Sequence, residues 1–162
     1  MPRYFSFVVL AFAVLFQTTA RSEIDEPTNP VKSLYASYGT GSGICNHGLT
    51  QGKAGALFTG ALLSLYSRAV KSGNLDEDFF VQAQDFDLAR PIDITSVKID
   101  GTSAEVGATL TQNAAALSGK AKVRIDRFVF FVKREGGSWR IDNAEHDGKT
   151  LRHEWEETIS NR

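Results

Sequence analysis

The clearest pattern in this chain is the alternation of apolar and polar residues along its second half. Residues 92–142 divide into four segments with a period of two, and turn sequences separate them, including Asp100–Gly101 and the glycines of residues 135–137. A period of two places successive side chains on opposite faces of a strand. The pattern therefore predicts four successive antiparallel strands connected as a meander.

Two of these strands depart from regular alternation. In the first, the apolar positions change phase near residues 95–96, which predicts a β-bulge. In the third, residues 128–132 are apolar at every position, as in a central strand that is covered on both faces. We therefore expect a bent sheet that needs a covering element on each face.

The first half of the chain has helical periodicity instead. Asn29 followed by Pro30 predicts a helix that continues to about residue 38, and apolar residues at helical spacing predict a second, continuous helix over residues 54–72. A glycine-rich loop over residues 39–52 separates the two. The acidic segment 74–87 contains three phenylalanines, which favours a packed connection over a disordered one.

Together these elements predict one α+β domain over residues 30–147. Its N-terminal helices pack on one face of the curved four-stranded antiparallel meander. A polar arm, residues 21–29, precedes the domain. Residues 148–162 follow as a C-terminal helical tail in which Leu151, Trp155 and Ile159 share one face.

Residues 1–20 have the features of a secretory signal peptide. Arg3 gives a cationic start, an uncharged apolar run follows over residues 5–16, and small residues end at Ala20, where cleavage is expected. The apolar run is about twelve residues, shorter than the roughly twenty that a membrane-spanning helix needs. We expect an exported protein, in the periplasm or alternatively outside the cell, with no membrane insertion after cleavage.

The charge of the chain limits the classes of partner that it is expected to bind. The full chain has 18 Lys and Arg residues against 19 Asp and Glu residues, and Arg3 is the one charged residue of the leader, so the mature chain is slightly acidic. Proteins that bind nucleic acids usually have a basic patch, and this chain is slightly acidic, so no nucleic-acid partner is predicted.

Cys45 is the single cysteine. A buried, inert thiol is the expected state, and an exposed thiol that pairs with another chain is the alternative.

Several of these segments, taken in order, resemble a known family. They are the sequence from Leu34 to Tyr38, the leucine-rich helix, the acidic connection to Asp85, the Asp100–Gly101 hairpin and Gly137-Ser138-Trp139-Arg140-Ile141-Asp142. The combination resembles a bacterial exported family catalogued as domain of unknown function 3828, which is similar to the nuclear transport factor 2-like superfamily of cone-shaped α+β folds. The resemblance covers most of residues 30–147 and departs at residues 39–53. It implies a cone and a bacterial exported setting, and it implies no catalytic residues.

Ionisable residues within the predicted cone define an enzyme hypothesis. Members of the superfamily often place an Asp/His or Asp/Arg set inside the cone, where desolvation tunes a group for proton transfer. The candidates here are Asp85, Asp87, Arg124, Asp142 and His146. A small-molecule enzyme that uses Asp142 and His146 is therefore one alternative function. The favoured interpretation is that both are structural strand residues.

No cofactor and no metal site is predicted. Histidines and carboxylates occur together within residues 146–154, but they do not form the helical His-x-x-x-His pair that binds zinc. Cys45 and His47 lie on a glycine-rich loop that would orient a catalytic thiol poorly. The sequence also lacks phosphate-binding, dinucleotide-binding and nucleophile-elbow motifs.

The functional prediction concerns the second face of the meander. Phe128, Phe130 and Val132, together with Trp155, are predicted to form a surface for a small apolar ligand, an envelope protein or a second copy in a homodimer. In the alternative, the terminal helix folds back over that face. The sequence thus predicts an exported binding or interaction protein of the bacterial cell envelope, more consistent with a non-enzymatic role. An immunity or inhibitor protein against a cell-wall enzyme is a further alternative.

Overall fold

The computed structural model describes residues 25–39, 41–44, 51–73, 75, 77–114 and 122–161. The predicted signal peptide and the residues Cys45 and His47 lie outside these ranges. Within them, no helix is long and apolar enough to cross a membrane.

The described residues form helices and strands of one α+β fold. The helices are α1 (Asn29–Ala36), α2 (Gln51–Leu57), α3 (Gly60–Ser72) and α4 (Leu151–Ser160). The strands are β1 (Gly41–Ile44), β2 (Asp85–Leu88), β3 (Asp93–Asp100), β4 (Ser103–Ala114), β5 (Lys122–Glu135), β6 (Ser138–His146) and β7 (Lys149–Thr150). They pair in the order β1-β2-β4-β5-β6-β7, and β3 pairs with β4 on the same side as β2.

The predicted meander is confirmed as β3 to β6, all antiparallel. The bulge predicted in the first strand lies between Ile94 and Ser96. The first hairpin turns one residue later than expected, because Asp100 still pairs with Ser103 and Gly101 takes the positive φ of 56°. A second irregularity gives β6 an extra residue at Asp142.

The predicted continuous helix over residues 54–72 is wrong, because the chain interrupts it between α2 and α3. Thr59 is extended there, and its side chain accepts a hydrogen bond from the Leu62 amide as the N-cap of α3. The Thr59 amide donates to the Ile141 carbonyl at 2.9 Å. Tertiary hydrogen bonding to β6 therefore overrides a helical periodicity that continues through the break.

The short strands β1 and β2 were not predicted from the sequence. β1 lies in the glycine-rich segment, and β2 lies at the end of the acidic connection. The two pair with each other over four residues. Strands this short have little alternation of their own, and partner strands stabilise them.

The helices cover one face of the sheet, which we call the inner face; we call the opposite side the outer face. The inner face includes Val106, Phe130 and Ile141, all fully buried. Trp155 of α4 packs against Phe58 and Tyr66, so α4 lies on the inner side with the other helices. The alternative, in which the terminal helix folds back over the face that carries Phe128, Phe130 and Val132, is therefore confirmed in its placement, although the other helices cover the same face and α4 does not lie on the outer one.

Removing the Phe130 ring tests which face of β5 is the core. Phe130→Ala should lower the free energy of unfolding by about 3–5 kcal/mol, because it leaves a cavity in a packed aromatic cluster. Val123→Ala, on the same strand but exposed, should change it by no more than about 0.5 kcal/mol. Urea unfolding measures both values, and equal effects would contradict the face assignment.

Candidate functional site

The four residues predicted to form a ligand or partner surface lie in the core. Phe128, Phe130, Val132 and Trp155 are 2 %, 0 %, 0 % and 4 % exposed. The inner phase of β5 faces the helices, and Trp155 faces α3. This corrects the sequence-based assignment: these residues fill the interior and present no surface to a partner.

The packed connection over the inner face explains their burial. Phe80 stacks on Phe130 with ring centroids 6.3 Å apart and an interplanar angle of 12°. Phe79 contacts Phe128 with centroids 6.2 Å apart. The prediction that the segment after α3 is packed is confirmed. Its rings occupy the space in front of β5 that an internal ligand would need.

Side chains from α1 and the sheet bind the backbone of this connection. The Tyr35 hydroxyl donates to the Phe80 carbonyl at 2.8 Å, and Gln112 Nε2 donates to the Val81 carbonyl at 2.8 Å. Val81 also accepts from Arg124 Nη2. A buried carbonyl without a partner is costly, so these bonds let an irregular segment lie inside the domain.

Asp78 fixes the start of the same connection. Its carboxylate accepts from the Phe80 amide at 2.9 Å and from the Tyr38 hydroxyl at 2.6 Å. Its carbonyl accepts from the Gln82 amide at 2.7 Å. Asp78 is buried, so these bonds replace the water that its carboxylate loses on folding.

The polar groups of the inner face converge on Asp126. We call Gln112, Arg124, Asp126 and His146 the inner polar cluster. Asp126 Oδ2 accepts from Gln112 Nε2 at 2.9 Å and from Arg124 Nε at 2.8 Å. His146 Nε2 lies 3.5 Å from Asp126 Oδ1, and the imidazole lies 4.8 Å from the Phe128 ring centroid. Two of these four residues, Arg124 and His146, were sequence candidates.

The inner polar cluster has a structural role. Asp126 is buried, and the His146 side chain is 10 % exposed. A general base must reach a substrate proton within hydrogen-bond distance. Here Asp126 Oδ2 already accepts two hydrogen bonds, Oδ1 lies beside the His146 ring, and Gln112 and Arg124 also donate to the Val81 carbonyl. The cluster therefore anchors the connection to the sheet.

Asp142 is held by a different set of partners. The extra residue in β6 directs it to the start of α3, where it accepts from Thr59 Oγ1 at 2.9 Å. Lys133 Nζ and Arg152 Nη2 lie 2.7 and 2.8 Å from its two oxygens. Partial burial acts to raise the pKa of Asp142, but the hydrogen bonds from Lys133 and Thr59 and the Arg152 charge outweigh it, so this pKa is lowered. Asp142 is thus a poor proton acceptor and joins α3, β5 and α4.

The structure does not assemble the predicted catalytic set. Asp142 bonds to Thr59, Lys133 and Arg152, whereas His146 contacts Asp126 and Phe128. Asp85 is exposed on β2, and β4 and β5 lie between β2 and β6. The candidates therefore lie in separate environments.

The ionisable residues of α4 lie at another opening. His153 and Glu154 line a cleft of about 550 Å³ together with Glu77, Lys149 and Glu157. Burial, opposed by the Lys149 charge, raises the pKa of Glu154. His153 Nε2 lies 3.4 Å from Glu157 Oε1. Across the described ranges, no three His, Cys, Asp or Glu side chains are grouped so that they could hold a metal ion.

The outer face of the sheet has apolar residues that no described element covers. Along β5, Val123, Ile125 and Val129 are 62 %, 51 % and 37 % exposed. They alternate with the inner residues, and Phe131 continues the same phase. We call Val123, Ile125, Val129 and Phe131 the outer stripe.

Sequence reasoning missed Asp126 and Gln112, and it expected both faces of residues 128–132 to be covered, including the outer positions Val129 and Phe131. Asp126 breaks the apolar phase that Phe128, Phe130 and Val132 continue, and a carboxylate in a core phase signals a buried partner. Gln112 comes directly after the regular alternation of residues 104–111, so the sequence pattern does not place it on the strand. The sequence alone could not identify the Val81 carbonyl as the group to which Gln112 and Arg124 both donate.

Comparisons with known proteins assign no family to this chain. No protein-family model matches it, and no curated protein matches it. Among solved structures, it is similar to the intermembrane-space region of the chloroplast protein ARC6, with 19 % sequence identity and a TM-score of 0.47. That similarity covers 75 % of this chain and 94 % of the other. At these values it supports no inference about function.

The burial of Tyr35 predicts a pH dependence of stability. Burial first, and then the charges of Asp78 and Asp126, raise the pKa of Tyr35 well above its usual value. In the unfolded chain a tyrosine ionises near pH 10. Above that pH the unfolded state therefore binds fewer protons, and stability falls by up to about 1.4 kcal/mol per pH unit on account of Tyr35.

Tyr35→Phe should remove this contribution. Below about pH 9 the variant should be less stable by a constant amount, because it lacks the bond to Phe80 and Tyr35 is neutral in both states. Above about pH 10 the two stability curves should converge. Chemical unfolding at a series of pH values measures the difference, and parallel curves throughout would contradict the burial of an un-ionised Tyr35.

Proposed function

We propose that this chain is an exported, non-enzymatic interaction protein of the bacterial cell envelope, with a nuclear transport factor 2-like cone that docks through the outer stripe. The observation that carries the proposal is the exposure of Val123, Ile125 and Val129 on one face of a long strand. On the opposite face of the same strand, Asp126, Phe128 and Phe130 are buried. The docking surface is therefore on the outside of the sheet.

A single exposed apolar residue on a protein surface is ordinary, whereas a contiguous row is informative. Successive members of the outer stripe on one side of Arg127 are about 7 Å apart, because residues two apart on a strand share a face. Val123 and Ile125 therefore form one apolar patch, Val129 and Phe131 form a second, and Arg127 lies between them on the same face. The hydrophobic effect favours a partner that removes such patches from water.

The face of β5 is a better docking surface than its edge. β5 pairs with β4 along its length, but with β6 only from Phe128 to Glu135. Residues 122–127 therefore have an open edge in the described part of the chain. Lys122 and Arg127 lie on this edge, and charged residues on edge strands oppose the addition of a further strand.

The occupant that the surface charges favour is a second copy of this chain. Lys98, Glu105, Arg127 and Glu145 lie beside the outer stripe, two of each sign. None of them forms an ion pair with a residue that the structure describes. A two-fold axis through the stripe sets the same surface against itself, and opposite charges can then face each other around an apolar centre.

The size of the surface supports a dimer of modest stability. At a strand spacing of about 4.8 Å and a rise of about 3.3 Å per residue, the outer face of β3 to β6 has a projected area on the order of 700 Å². A stable interface buries about 800 Å² of accessible surface per partner, and side chains enlarge the accessible surface beyond the projected area. We therefore expect association that depends on concentration.

Export and the envelope setting rest on the sequence. The leader features of residues 1–20 support export, and the resemblance to the exported family supports a bacterial envelope. The separation of Asp142 from His146 gives no support to the enzyme alternative. The two bulges of the meander support a bent sheet, as the proposed cone requires.

Analytical ultracentrifugation of residues 21–162 tests the proposal. The unsubstituted chain should change from monomer to dimer as its concentration rises. The double variant Ile125→Glu/Val129→Glu should weaken the dimer by roughly a hundredfold or more, because two carboxylates would be buried without partners. Both chains should keep the same circular dichroism spectrum.

Val70→Glu is the matched control. Val70 is 42 % exposed on α3, away from the outer face, so its substitution adds a charge at a similarly exposed apolar position. It should leave the dimer unchanged. A chain that stays monomeric throughout, or a dimer that resists the double substitution, would overturn docking through the outer stripe.

A further inference from the structure

A cleft opens beside α1, on a part of the surface separate from the outer stripe. It has a volume of about 450 Å³ and lies between the second half of α1 and the break that separates β2 from β3. Small-molecule sites in proteins have volumes of about 300–1,000 Å³. Its lining residues are Lys32, Tyr35, Ala36, Gly39, Leu88, Pro91 and Ile92.

The walls of the cleft are almost entirely apolar. Leu88, Pro91 and Ile92 form the strand side, and Ala36 and Tyr35 form the helix side. The Tyr35 hydroxyl already donates to the Phe80 carbonyl, so it has no proton to offer a ligand. A molecule in this cleft would therefore be held mainly by apolar contact.

Lys32 is the exception to the apolar lining. It is the single charged residue among the seven lining residues, and it is exposed at the surface. Its ammonium forms no ion pair with a described residue. The neighbouring cation, Arg90, is already paired with Asp93 at 2.8 Å. The cleft therefore combines apolar walls with one solvent-exposed positive charge that has no ion-pair partner among the described residues.

We propose that the cleft binds a small apolar carboxylate, with its hydrocarbon part between α1 and the strands and its carboxylate at Lys32 Nζ. A carboxylate complements the lysine, and an apolar chain complements the walls. Neutral and cationic molecules of the same length lack the contact between a carboxylate and Lys32. The cleft shares no residue with the outer stripe, so substitutions can test the two sites separately.

Titration with decanoate tests the proposal. Residues 21–162, labelled with ¹⁵N, should bind one decanoate per chain saturably, and the amide signals of Ala36, Gly39 and Ile92 should shift. Decanol should bind more weakly by about tenfold, because it cannot form a charged hydrogen bond with Lys32. Decyltrimethylammonium should bind at least as weakly as decanol.

Two substitutions and a control locate the site. Lys32→Gln should weaken decanoate by about tenfold and leave decanol unchanged. Ala36→Trp, at an exposed position on the last turn of α1, should block both by filling the cleft. Lys53→Gln removes an exposed lysine on α2 and should change neither.

Three results would overturn the proposal. They are the absence of saturable binding by decanoate, equal binding of decanoate and decyltrimethylammonium, and shifts that map to the outer stripe or to the α4 cleft. Loss of binding in Lys32→Gln counts as support only if its spectrum is otherwise that of the unsubstituted chain. Ala36→Trp supplies a second, charge-independent measurement.

Discussion

The fold depends on a buried connection that has no regular secondary structure. Between α3 and β2 the chain crosses the inner face of the sheet, and Phe79 and Phe80 pack on Phe128 and Phe130. Burying an irregular backbone is unfavourable unless its polar groups are bonded. Tyr35 and the inner polar cluster provide those bonds. The aromatic core and the buried polar residues are thus parts of one arrangement.

That arrangement limits where function can lie. The connection fills the space in which the sequence suggested an internal ligand. Gln112 and Arg124, which bind the connection, also donate hydrogen bonds to Asp126, the buried acid of the sheet. Asp142 is used in the same way in the middle of β6, where it joins three elements. Among the residues that the structure describes, the outer stripe and the clefts at the periphery are open to a partner.

Much of the fold could be predicted because its signals are local. The alternation along β3 to β6, the phase change at residues 95–96 and the aromatic character of the connection each follow from neighbouring residues. The break at Thr59 could not be predicted, since its cause is a hydrogen bond to Ile141, far away in sequence. A strand that is apolar on both faces also does not show which face the helices cover. That choice placed Phe128, Phe130 and Val132 inside and left Val123, Ile125 and Val129 outside.

The candidate site was predictable only in its residue types. The sequence indicated Arg124 and His146 but gave no reason to join them through Asp126, because the register of β4 against β5 decides which side chains meet. Only the enzyme alternative required Asp142 to cooperate with His146, on account of their spacing. The extra residue in β6 instead directs it to α3 and α4. Register and bulges therefore control the site, and both depend on pairing across the whole sheet.

The accessibility of methyl groups to a soluble paramagnetic agent tests most directly whether the outer face is the docking surface. In dilute solution, the methyl signals of Val123, Ile125 and Val129 should relax strongly, whereas those of Val132 and Ile141 should be shielded. At high concentration the outer methyls should become shielded as well. Outer methyls that stay accessible at every concentration, or inner methyls that relax as strongly as they do, would contradict a docking surface on the outside of the sheet.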